Sequence, residues 1–224
     1  MKTIKMHVVA MRLSRILCMS VALMMLFVLT GCFAIHKSYV DPEYGKTSYQ
    51  DITRHAQPFK WRIAVEFQRN GSHLPNVDHT LRDLVERTIV SSGVAVPARD
   101  NNAPELKVVV NNVYGSENVF AKSFLSGLTL GLIGYSVTDH YEMQATLSKG
   151  NTVITKTGYK HALYSTGGLI VSSPPGAEPI SMSDGFAKIV EQMVLTALRD
   201  IEKDSKTVTI SSLGFEQQLA SFLF

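Results

Sequence analysis

Between Asp184 and Lys203 the chain reads DGFAKIVEQMVLTALRDIEK. Phe186, Ile189, Val190, Met193, Val194, Ala197, Leu198 and Ile201 recur three and four residues apart, which on a helix makes one continuous apolar stripe. Ser183 can cap its start. Such a stripe is stable in water only when another element covers it, and the rest of the chain offers half-buried strands as the cover. In KWRIAVEFQ, Trp61, Ile63, Val65 and Phe67 alternate with Lys60, Arg62, Ala64, Glu66 and Gln68. Period two with one apolar face is a strand that packs on one side and meets water on the other.

The remaining elements follow from the same two periods. After the loop NGSHLPN, VDHTLRDLVERTIVSSG carries Val77, Leu81, Leu84, Val85 and Ile89 at helical spacing. Asn76 or Asp78 can cap this helix and Gly93 suits its end. VAVPA is a short strand, with Pro97 marking an edge or a stop. ELKVVVNNVYG is a strand with Leu106, Val108 and Val110 on one face. SVTDHYEMQATLSKGNTVITKTGYKHALYS reads as a hairpin turning at Gly150-Asn151. A two-residue loop there sets Leu147 opposite Ile154, Thr146 opposite Thr155 and Gln144 opposite Thr157, so that apolar meets apolar and polar meets polar. The order β-α-β-β, a Gly-rich apolar segment, then β-β-α predicts an α+β fold. It is a mostly antiparallel sheet with two main helices on one face, formed by a single domain over residues 60–204. The structure of the tail, 205–224, is left open. In element order the domain resembles the small envelope α/β domains of the TolB amino-terminal and CsgG-like type.

The N-terminal residues carry an address. Lys2, Lys5, Arg12 and Arg15 precede the apolar run ILCMSVALMMLFV, and no acid occurs before Asp41. This is the layout of an export signal, and the run is shorter than the about 20 residues a spanning helix needs. It ends in Leu29-Thr30-Gly31-Cys32, which resembles the lipobox of bacterial lipoproteins. The resemblance implies cleavage before Cys32 and acylation of that residue, so residues 1–31 are expected to be a signal peptide. Met11 also opens a complete signal of this kind. Phe33 and Ala34 follow the cysteine, with no aspartate, which by the same resemblance implies the outer membrane, at its periplasmic face. Residues 32–59 are polar and rich in turn formers. They are expected to be the lipidated N-terminus and a tether, with a short strand near Tyr39 and Val40.

Removing the signal reverses the charge argument. The whole chain is +3, but residues 1–31 hold four basic residues and no acid, which leaves 18 basic against 19 acidic residues. No basic cluster remains to neutralise phosphates, so a nucleic-acid partner is not expected. Cys18 leaves with the signal and Cys32 is lipidated, so no disulfide is expected and the domain is held by its core.

The segment FLSGLTLGLIG, from Phe124, resembles a phrase found in a group of gram-negative outer-membrane lipoproteins. Two readings stay open for residues 124–134. The segment is either a buried crossover between strands, or an exposed apolar loop in which Phe124, Leu125, Leu128, Leu130, Leu132 and Ile133 touch a partner or the membrane.

Motifs for catalysis are missing: there is no HExxH, GxSxG, Walker loop or CxxC. The hairpin register offers one metal candidate. It sets His140 opposite His161, with Glu142 and Tyr159 as the next pair on that face. Two imidazoles and a carboxylate can hold a divalent ion. The alternative is a solvated polar sheet face. Three function classes result. The first, which the sequence favours, is a non-enzymatic lipoprotein without a cofactor, anchored to the membrane through Cys32 and binding an envelope protein partner. The second is an oligomeric export or pore component. The third is a metal-binding periplasmic enzyme.

Overall fold

The computed structural model of the chain describes Met19 and residues 36–114, 135–168 and 174–211. Seven strands form one mixed, mostly antiparallel sheet: β1 His36–Val40, β2 Phe59–Arg69, β3 Ser72–His73, β4 Ala95–Pro97, β5 Glu105–Tyr114, β6 Tyr135–Lys149 and β7 Thr152–Gly167. They lie in the order β1-β7-β6-β5-β2-β3, with β4 beside the start of β2. Among the described strands only β2 with β5 and β2 with β4 run parallel. Helices α1, Pro75–Ser92, and α2, Met182–Ser211, share one core with a single face of this sheet, as expected for the α+β class.

The core is the meeting of the two periodicities. Trp61, Ile63 and Phe67 of β2, Leu106, Val108 and Val110 of β5, and Met143, Ala145 and Leu147 of β6 are all buried. They face Leu81, Val85 and Ile89 of α1 and Ile189, Val190, Met193 and Val194 of α2. Burying each large aliphatic side chain contributes about 1.5–3 kcal/mol against leaving it in water. The opposite sheet face is polar and carries the ion pairs Glu66–Lys107 and Glu142–Lys160, each at 3.0 Å.

Several local expectations are corrected. Residues 36–59, expected as a tether, belong to the domain. β1 pairs with β7 from His36↔Gly167 to Val40↔Leu163, and Ile52 joins the core. Between β1 and β2 the chain crosses both helices as a strap. The Tyr49 hydroxyl donates to Glu191 Oε2 at 3.1 Å on α2, and the Arg54 guanidinium donates to the Ser91 carbonyl at 2.9 Å on α1. The NGSHLPN loop contains a tight hairpin: Asn70 and Gly71 have φ of 49° and 78°, the backbone of a primed two-residue turn. Neither Asn76 nor Asp78 caps α1; the cap position is Leu74, followed by Pro75. Pro75 needs no partner there because it has no N–H to satisfy. Ser181, not Ser183, serves the start of α2, its Oγ accepting the Asp184 amide at 3.1 Å. That helix runs on to Ser211, into the tail whose structure was left open.

Candidate functional site: a cleft at the bulge of the long hairpin

The β6–β7 hairpin turns at Gly150-Asn151, and its first pairs, Leu147↔Ile154 and Thr146↔Thr155, have the expected register. Farther from the turn the register changes. Ala145 pairs with Lys156 but Met143 pairs with Tyr159, so Thr157 and Gly158 together oppose Gln144. This is a β-bulge, and Gly158 at its centre has φ of 85°, a conformation that favours glycine. One inserted residue sends each later side chain of β7 to the other face. His161 therefore lies opposite Tyr141 on the core face, not opposite His140.

That displacement removes the metal candidate. His140 pairs with Ala162 and is exposed on the polar face, Glu142 pairs with Lys160, and His161 is only 2 % exposed beneath α2. Among the described residues no group of three His, Cys, Asp or Glu side chains could hold a metal ion. Cys32 and residues 124–134 lie outside the described residues.

His161 instead forms the floor of a cleft. Its Nδ1 accepts the Ala162 amide at 3.0 Å, which puts the proton on Nε2, and Nε2 donates to Gln192 Oε1 at 2.7 Å. Both ring nitrogens are thus committed to protein partners. The Tyr44 ring stacks on the imidazole with centroids 5.0 Å apart. Tyr44 is placed by the strap, which Thr47 pins to α2. The Thr196 hydroxyl donates to the Gln192 carbonyl at 2.7 Å, so the Thr47 hydroxyl donates to Thr196 Oγ1 at 2.8 Å.

The cleft encloses about 320 Å³ between the strap, the bulge and α2. Among the described residues Lys46, Lys160 and Arg199 line it, and no carboxylate does. Lys160 is held by Glu142 on the polar face. Tyr159, also in the wall, donates its hydroxyl to Asp200 Oδ2 at 3.3 Å. Burial, then the Asp200 charge, pushes the Tyr159 phenol well above its ordinary value, so it stays protonated. With the Tyr159 hydroxyl neutral and the His161 imidazole tied down, the cleft presents donors and ring faces.

Sequence reasoning missed Tyr44, Gln192 and Arg199. One signal was legible: Gly158 interrupts a strand pattern, and glycine inside a strand marks a bulge.

No family model matches the chain, and no curated protein matches it. Among solved structures it is similar to a PelC dodecamer from Paraburkholderia phytofirmans, at 14% identity over 75% of this chain and 99% of that one, with a TM-score of 0.36. It is also similar to a DUF330 protein from Xanthomonas campestris, at 15% identity over 73% and 98%, with a TM-score of 0.29. A third is a DUF4136 family protein from Bacteroides thetaiotaomicron, at 10% identity over 76% and 96%, with a TM-score of 0.28. At these identities and TM-scores no property of those proteins is carried to this chain.

Proposed function

We propose that this chain is a lipid-anchored envelope protein, held at the periplasmic face of the outer membrane, that acts by binding a protein partner and not by catalysis. The observation that carries the reading is the Leu29-Thr30-Gly31-Cys32 motif at the end of a short apolar run, four residues before β1. Four extended residues reach about 14 Å. With β1 already part of the sheet, an acyl group on Cys32 would keep the domain close to the bilayer. Several acyl chains on one residue bind a membrane stably where a single chain binds marginally. The partner contact is proposed at residues 124–134, on their density of leucine and glycine in a connection between strands.

The test has two arms. Cys32→Ser is expected to accumulate as an uncleaved precursor that takes up no labelled fatty acid; normal acylation of that variant refutes the anchor. Leu128→Asp is expected to weaken crosslinking to the partner in intact cells while the melting temperature stays near that of the parent. A large fall in melting temperature would return the segment to the core.

A further inference from the structure

The cleft beside His161 holds hydrogen-bond donors of positive side chains that the fold leaves unused. Arg199 has five N–H donors, yet among the described residues it donates no hydrogen bond. Its Nε is buried and forms an ion pair with Asp200 Oδ1 at 3.5 Å, without a hydrogen bond. An arginine side chain two-thirds withdrawn from water, with its buried Nε–H making no hydrogen bond, is an arrangement that folding alone does not favour. Lys46, on the strap, forms no ion pair or hydrogen bond among the described residues and lines the same cleft. Asp200, which its neighbour Tyr159 also engages, and Asp51 on the exposed strap both interact with Arg199; neither lines the cleft.

We propose that this cleft is a binding site for a small organic anion, a carboxylate or a phosphate monoester on a compact ring. The anionic group is met by Arg199 and Lys46, and the ring lies against Tyr44 and Met193. Size supports a small molecule: about 320 Å³ is at the lower end of the ~300–1,000 Å³ typical of such sites. Gly158 leaves the wall open, because a Cβ built on it would meet no atom within 4 Å. The Gln192–His161 bond holds the floor rigid. Charge-assisted bonds from a guanidinium to a carboxylate or phosphate are about twice as strong as neutral ones, which gives the site its preference for anions over neutral rings.

The experiment is titration calorimetry on the full acylated chain in a detergent with a neutral headgroup, using phenyl phosphate, benzoate and benzyl alcohol. One or both anions should bind and the alcohol should not; the stronger of the two anions identifies the class. Lys46→Glu, at an exposed position, should weaken anion binding about ten-fold with an unchanged melting curve. Arg199→Gln should weaken it at least as much, and Arg199→Lys should recover part of the loss. Absence of heat with both anions, equal binding of benzyl alcohol, or unchanged affinity in Lys46→Glu would overturn the proposal. Cys32→Ser protein should bind the same anion equally well, so the outcome is separate from that of the anchor.

Discussion

Asp78 Oδ1 accepts the Phe67 amide at 2.8 Å, so a carboxylate in the first turn of α1 pairs with the free edge of β2. One turn later Arg82 donates to the Ile63 carbonyl on the same edge. β2 would otherwise present unpaired backbone between the short strands β4 and β3, and an open edge invites pairing with other chains. The helix that supplies Leu81, Val85 and Ile89 to the core thus also closes the sheet. Asp78 Oδ2 lies 2.7 Å from His73 Nε2, which ties the β2–β3 hairpin to the same carboxylate.

A pH dependence follows from this pairing. Burial raises the Asp78 pKa, but the Phe67 amide, His73 and Arg82 together outweigh it and hold the carboxyl below its ordinary value. A carboxyl with a depressed folded pKa contributes stability that is complete above its unfolded value of about 3.9 and is lost as pH falls through the folded value. Urea titrations from neutral to acid pH should show this loss. Asp78→Ala should cost about 1–3 kcal/mol near neutrality and flatten the acid limb. An acid limb identical to that of the parent would assign the pH dependence to other groups.

Deleting Gly158 should be far more damaging than substituting it. Deletion removes the bulge and forces either the turn-proximal pairs or the pairs around His161 onto the wrong face. The expected loss exceeds about 4 kcal/mol, enough to abolish a cooperative melt. Gly158→Val keeps the register but strains a residue at φ of 85°, and should cost about 1–3 kcal/mol. Thermal melts of the two variants decide the matter: similar midpoints would mean that the bulge does not set the register.

Gln192→Leu should leave the His161 Nε2–H buried without an acceptor and cost about 1–3 kcal/mol. His161→Phe with Gln192→Leu removes both partners, and should recover part of that loss because neither polar group is then stranded. A double-mutant cycle by chemical denaturation measures the coupling. Simple additivity would show that the bond contributes nothing beyond its separate side chains.

The local pattern of the sequence was enough for each major element. Alternation in residues 60–68 and 105–110 and the 3.6-residue stripe of 186–201 depend only on which face of one segment is apolar, and that information lies within the segment. The Gly150-Asn151 turn likewise set the first hairpin pairs through the chain next to it. What the tertiary structure decided lies between segments. Residues 36–59 have no apolar period, so nothing local shows that Ile52 enters the core or that β1 adds to β7. The partners of β1, Thr47 and Tyr49 lie more than a hundred residues away in the chain, on β7 and α2. The candidate site is of the same kind. A single extra residue at Gly158 reverses the face of His161, which then meets Gln192 of α2 and Tyr44 of the strap. Strand periodicity carries no memory of such an insertion, since a period of two reads the same on either face.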